Sequence, residues 1–460
     1  MTRTDAPPRS ARTAPRSGRR DLYAVAGAAL LVVAAVLIGR HIEFTRHTLH
    51  VGWPPLYADW LPHAGPGTPA ALVVAAAVVA YGPALTTRLS WPALLATSWA
   101  TATAWILSLA LIDGWHRGIA RRLTTKYEYL QVIDRFHDIP ATLRDYTHHI
   151  LIDSPDHWPP HTAGHPPAAP LTFVLLDRIG LGGGGWAGMW CVVVGATACA
   201  AVLTAVRALA SEDWARRAAP FLVLAPAAVW MGASADAYFA AVAAWAVALL
   251  ALAVSGRSVG WAAGSGLLFG LVCYLSYGLT LFAVIGAAVL FLGRHRVRER
   301  PVLLALLVAG VAVVPAAFTL AGFDWWEAYH LLVTRYYQGA GGVRPYGYWV
   351  WANLACTVLI AGPATVAGLR RAVGQLLPRA LPRPLTPRAR LALLTTSALL
   401  ALLAADLSGM SKAETERIWL PFTMWLLAAP ALLPRTRLRA WLVAQAVLAL
   451  TLNHLLLTGW

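Results

Sequence analysis

Charge is what this 460-residue chain has least of: Asp, Glu, Lys and Arg make up 13% of it, against about 25% in an ordinary soluble domain. Only two lysines occur, Lys126 and Lys412. The four cysteines, Cys191, Cys199, Cys273 and Cys356, lie singly inside apolar runs with no C-x-x-C spacing. That excludes a disulfide framework or a cysteine zinc site and leaves small, membrane-buried residues. No strand–helix–strand pattern carrying G-x-G-x-x-G is present, so the chain has no nucleotide-binding unit of the Rossmann kind. The period-two alternation of a membrane β-barrel is also missing.

What fills the chain instead is apolar sequence, 58% hydrophobic with a mean hydropathy of +0.59. Runs near the roughly 20 residues that span a bilayer recur at 22–39, 69–87, 91–112, 186–206, 218–232, 237–254, 259–275, 278–293, 301–322, 349–368, 391–405, 419–434 and 440–457. The pattern predicts an all-α, polytopic transmembrane protein of about 13 helices. It is organised as a disordered basic tail (1–21) and one transmembrane domain (22–460), with the first span an uncleaved signal anchor.

Threading those spans with the tail inside sorts the charges. Segments on the tail side hold 24 basic and 5 acidic residues; segments on the other side hold 13 and 16. This is the positive-inside bias of a plasma-membrane protein with a cytoplasmic N-terminus. The net charge of +16 is therefore an orientation signal, with anionic lipid as its other use, and no nucleic-acid partner is implied. The acids and histidines gather on the outer side, where chemistry is expected.

The main non-membrane feature is the outer loop 113–185. Two stretches, "GWHRGIARRLTTKYEYLQVIDRF" and "IPATLRDYTHHILI", have the spacing of amphipathic helices lying flat on the interface. Prolines at 155, 159, 160, 166, 167 and 170 then stiffen the chain against helix. A short apolar helix follows at 171–179, and "GLGGGGWAG" turns into the next span.

This order, with "KYEYLQVIDRF", "PDHWPPHTAGHPPAAPLTFVLLDRIG" and "GWAGMW", resembles the first outer loop of the GT-C superfamily. These are polyprenyl-phosphate-dependent glycosyltransferases that include the aminoarabinose transferases and protein O-mannosyltransferases. The resemblance covers 113–254. Two departures stand out: Glu128 matches the glutamate of an acidic pair whose other acid is missing beside it, and two extra spans precede the matching part. The ending "ERIWLPF" resembles actinobacterial membrane proteins of this kind, which suits the Arg-, Ala- and Gly-rich composition. The resemblance implies a polyprenyl-phosphate sugar donor, a glycan, lipid or protein acceptor at the outer face, and hexosyl or pentosyl transfer.

Such a reaction needs a carboxylate to take the acceptor's proton. It also needs cations, or a divalent metal such as Mg or Mn held by acids, to steady the leaving phosphate. Asp113, at the end of a span, and Glu128 are the candidate catalytic acids; an interfacial cap and a solvated pair with Lys126 are the plain alternatives. His165, stiffened by Pro166 and Pro167, is a candidate phosphate or metal contact. Asp236 sits in a tight outer turn. Arg344, in an aromatic-rich outer loop, is a candidate phosphate ligand, as is Arg335. Lys412 and Arg417 form a candidate lipid-phosphate clamp, with Glu416 placed to pair with Lys412 at i, i+4. His157 and His161 share that spacing, but Pro159 and Pro160 intervene and a metal site there is disfavoured. A flippase of lipid-linked substrates would use the same broken helices, and a non-catalytic membrane scaffold is the remaining alternative.

Overall fold

The computed structural model describes residues 14–377 and 384–459. The expected tail falls outside these up to residue 13; from Ala14 onward the chain is already helical, so the first helix starts before the predicted span. Among the described residues, eight helices are long and apolar enough to cross a membrane: α1 (Ala14–Arg46), α2 (Thr68–Arg88), α3 (Trp91–Ala110), α4 (Gly184–Leu209), α5 (Ala235–Val254), α6 (Val302–Leu320), α7 (Pro387–Leu407) and α8 (Leu438–Leu455).

The count differs from 13 for local reasons. The run 349–368 breaks into Tyr346–Ala361 and Pro363–Leu376, bent by 111°; Gly362, at φ 81°, makes the corner and Pro363 opens the second helix. The run 218–232 is interrupted around Pro226 between Glu212–Val223 and Ala228–Met231. Those at 259–275, 278–293 and 419–434 are the shorter apolar helices Gly260–Leu275, Tyr277–Leu292 and Leu420–Leu432. With the bent pair as one span the total is nine among the described residues.

The core is built on small residues. Helix α5 is 83% buried over its apolar window, whereas α1 and α6 are 11% buried and lie on the rim. Alanines along α5 let α4 approach closely; a Cβ at Gly195 would stand 2.9 Å from that of Ala237.

Arginine contacts gather at one end of the bundle. Asp21 pairs with Arg370 and Arg371 at 2.9 and 2.6 Å. Arg216 donates to the carbonyls of Thr86 and Leu89, Arg217 to that of Leu433, and Arg390 to that of Leu209. All of these come from segments expected on the tail side. The segment 113–185 lies at the opposite end with the 47–67 loop, the Asp236 turn, residues 406–417 and the C-terminal residues.

Two features at that end were not foreseen. A short antiparallel ribbon joins β1 (Ala58–Trp60) to β2 (Leu456–Thr458), with Asp59 opposite Leu457. The expected flat helices are instead short turns at 116–120, 122–124 and 129–136, and the second stretch is helical only over Ile139–Asp145 before a tighter turn at 146–149. Glycine explains the first break: Gly114 has φ 79°, and a Cβ on Gly118 would meet the Ala110 carbonyl oxygen at 1.9 Å. The proline-rich passage contains a helical turn, Pro160–Gly164, and the next helix runs Ala168–Arg178, three residues earlier than expected. Pro160 and Pro170 sit at the starts of these helices, where a missing N–H costs nothing.

Candidate active site

Trp158 fixes the proline-rich passage. It is fully buried, its indole N–H donates to the Tyr146 carbonyl at 2.9 Å, and the Arg135 guanidinium stacks 3.4 Å from its ring centre. The Tyr146 hydroxyl lies 2.8 and 3.1 Å from the carbonyl oxygens of Thr162 and His165. The turn opened by Pro160 is thereby held against the bundle, and its first turn aims His161 at Glu128.

His161 Nδ1 lies 2.9 Å from Glu128 Oε1, and both side chains are buried. On its far side Nε2 lies 3.4 Å from Arg417 Nη2. His161 thus stands between a carboxylate on its Nδ1 side and a guanidinium, which can only donate, on its Nε2 side. Arg417 also pairs with Asp236, at the start of α5. Buried charges thus alternate in sign from Glu128 to Asp236. Burial pushes the Glu128 carboxyl upward, but the charge and hydrogen bond of His161, with Arg417 behind, outweigh it and hold the group below its ordinary value. Glu128 is ionised at neutral pH.

Glu128 stands on the wall of a cavity of about 340 Å³. Arg117, Arg122 and Tyr127 share that wall, the loop 50–59 faces them, and residues 457–459 close one side. Asp113 holds the two arginines. Its Oδ2 accepts from Arg117 Nε at 3.3 Å and Arg122 Nη2 at 3.0 Å, and its Oδ1 lies 2.9 Å from His63 Nε2. Both guanidiniums also donate to the Thr458 carbonyl at 3.3 Å. Burial draws Arg122 down to about 10, with Asp113 and Glu128 opposing the change, so it stays cationic.

The remaining predicted residues divide. Asp236 and Arg417 join Glu128 through His161. Arg344 is buried: it donates to the Leu49 and Lys412 carbonyls at 2.9 and 2.8 Å and pairs with Glu414 at 3.3 Å. Lys412 Nζ donates to the Gly341 carbonyl at 2.8 Å. The expected Lys412–Arg417 clamp is absent, because both cations are buried and already engaged. The expected Lys412–Glu416 pair also does not form: Ala413 and Glu414 take positive φ, and the helical turn starts only at Thr415. Glu416, fully buried, accepts from the Tyr57 backbone N–H at 2.8 Å instead. His165 does not line the cavity. Its Nδ1 lies 2.8 Å from the His161 carbonyl and its ring packs edge-on to Tyr129; burial depresses it to about 4, so it is a neutral prop for the His161 turn.

Sequence reasoning missed Arg117, Arg122, the productive role of His161, and the whole 50–59 wall. For the arginines a signal existed: "GWHRGIARRL" places basic residues outside against the orientation rule. For the wall there was none, since its position depends on the ribbon to the chain's far end.

The fold and site define a polytopic helical membrane protein with an arginine- and carboxylate-lined cavity at one end of its bundle. No protein-family model matches the chain, and none of the curated proteins does. Among solved structures it is similar to the oligosaccharyltransferase of Archaeoglobus fulgidus in a complex with Zn and sulfate, with a TM-score of 0.43 and 12% identity over 80% of this chain and 53% of that one. It is also similar to the same enzyme tethered by a disulfide bond to an acceptor peptide containing the NVT sequon, with a TM-score of 0.46 and 11% identity over 81% and 56%. The chain spans about half the length of the protein it matches.

Proposed function

We propose that the protein is a membrane glycosyltransferase of GT-C type that moves a hexosyl or pentosyl group from a polyprenyl-phosphate donor to a glycan, lipid or protein acceptor. It does so at the extracytoplasmic face of the cell membrane, with its N-terminus in the cytoplasm. One observation carries this reading: an ionised carboxylate, Glu128, shares a single cavity with two guanidiniums, Arg117 and Arg122. Glu128 takes the proton of the acceptor hydroxyl as its oxygen bonds to the anomeric carbon. The bond from that carbon to the phosphate oxygen breaks, and the leaving polyprenyl phosphate keeps the electron pair. Arg117 and Arg122 lie where that charge develops, and guanidiniums suit phosphate oxygens bidentately. Asp113 keeps both arginines in place; His161, backed by Arg417 and Asp236, orients Glu128. The sorting of arginines to the opposite end supports the orientation.

A divalent ion fits these residues poorly. Among the described residues no three His, Cys, Asp or Glu side chains stand together as a ligand set, and Asp113 already faces three nitrogen partners.

The test is transfer of radiolabelled sugar from polyprenyl phosphate by the purified protein. Glu128→Gln keeps the shape and the hydrogen-bonding capacity and removes the base. Transfer falls by about 10²–10⁴-fold, the usual worth of general-base catalysis, while the protein remains folded. Full activity in that variant would falsify the assignment.

A further inference from the structure

One wall of the cavity has no part in the steps above. It comes from residues 50–59, between α1 and α2, outside the stretch that carries the family resemblance. We infer that Tyr57 and Asp59 on this wall read the sugar, and that the group they accept is a single neutral sugar unit on its phosphate rather than an acidic sugar. The inference rests on the lipid-linked-sugar reading and assigns the residues that choose the sugar.

Four observations carry it. The cavity is lined by charges of both signs. Arg117 and Arg122 line it together with Asp59, which is exposed and, among the described residues, pairs with no cation. A ligand that carries both an anionic phosphate and hydroxyl donors satisfies both. Next, Tyr57 and Tyr127 line the same space, and rings of this kind pack the apolar C–H face of a sugar while their hydroxyls reach its polar edge. Size is the third observation: about 340 Å³ lies near the lower bound of small-molecule sites, which run from roughly 300 to 1,000 Å³. The lined part of the space takes one ring and its phosphate.

The fourth observation is that the two readers are seated by glycines. A Cβ on Gly52 would lie 2.0 Å from Asp59 Oδ1, and a Cβ on Gly459 would lie 2.2 Å from the Tyr57 ring. Any other residue at either position would displace the reader it touches. The backbone beneath is tied down independently: Tyr57 N–H to Glu416 at 2.8 Å, the Pro55 carbonyl to the Cys356 thiol at 3.2 Å, and the Leu49 carbonyl to Arg344 at 2.9 Å. A rigid wall can discriminate where a mobile one would adapt.

The test uses the full chain in detergent, with binding followed by tryptophan fluorescence, against farnesyl phosphate carrying either glucose or glucuronic acid. The wild type should bind the glucose conjugate at least about tenfold more tightly, because the acidic sugar sets a second carboxylate against Asp59. Asp59→Asn should reduce that preference to about twofold or less, and Gly52→Ala should do the same by moving the carboxylate without removing it. Affinity for bare farnesyl phosphate should not fall in either variant. Equal binding of the two conjugates by the wild type, or a preference preserved in both variants, overturns the inference. Methyl glucoside against methyl glucuronide repeats the comparison without phosphate. A preference that depends on Asp59 there, with no binding of farnesyl phosphate by the wild type, sinks the lipid-phosphate reading and keeps the sugar wall.

Discussion

Two neighbouring clusters use the same residue types to opposite ends. In the first, Arg117, Arg122 and Glu128 line an open cavity with Asp113 paired to both arginines; the Arg117 side chain is 45% exposed, and the arginines' contacts are at 3.0–3.3 Å. In the second, Asp236, Arg344, Lys412, Glu414 and Arg417 satisfy one another and nearby carbonyls, and the Arg417 and Asp236 side chains are 5% exposed. A charge with part of its hydrogen-bonding capacity turned to a cavity can serve a ligand. A charge enclosed by partners serves the fold, and the partner it leaves behind is costly.

The largest expected contrast separates Glu128 from Asp236. Glu128→Gln removes activity and leaves the melting temperature within a few degrees of wild type. Asp236→Asn removes the nearer carboxylate of buried Arg417 and leaves it Glu414 at 3.7 Å; breaking a buried pair costs about 3–5 kcal/mol. Thermal unfolding in detergent reads the difference. If Asp236→Asn melts like the wild type and loses only transfer, the second cluster belongs to the chemistry and the contrast fails.

A smaller effect sharpens the first cluster. Arg122→Gln should weaken binding of farnesyl phosphate by about tenfold, the scale of one charge-assisted contact. Lys412→Met, which removes a buried cation from the second cluster, should leave that affinity within about twofold. Equal losses in both would mean that the phosphate has been assigned to the wrong cations.

How far the sequence carried follows the same division. Membrane helices were legible because an apolar run leaves the backbone no other partner than itself. Their breaks were less so: Gly362 and Pro226 interrupt runs whose hydropathy does not change. Glu128 was legible through its match to the motif glutamate and Asp236 as an acid in a tight outer turn, and the structure links them through His161. The role of Lys412 was not, since helical spacing was assumed where Ala413 and Glu414 turn left-handed. Tyr57 and Asp59 owe their place to β1 pairing with β2, nearly 400 residues away, and no local pattern encodes a contact of that range. His161 was read by its spacing to His157, when its meaning lies in the partners on its two nitrogens.

The smallest expected effect joins the two clusters, and it is a pH dependence. Glu416 belongs to the buried side but holds the cavity wall through Tyr57. One of its oxygens accepts that N–H; the other has no hydrogen-bond partner. Burial lifts its carboxyl from 4.5 to about 7, Glu414 adds to the rise, and Arg417 opposes it. A raised carboxyl means that the folded state keeps a proton that the unfolded chain has lost. The contribution to stability is therefore full below pH 4.5 and is lost as pH rises through about 7. His165 acts in the other direction and in another window: its depressed value leaves its contribution intact above pH 6.5 and removes it as pH falls through about 4. Between pH 5.5 and 8 the wild type should lose stability on the order of 1 kcal/mol from Glu416, and Glu416→Gln, neutral throughout, should flatten that part of the melting curve against pH. Parallel curves for the two proteins would assign the titration elsewhere. A flattened curve would assign the titration to Glu416: burial of its charge costs stability as it ionises, although the Tyr57 hydrogen bond itself favours the ionised carboxyl.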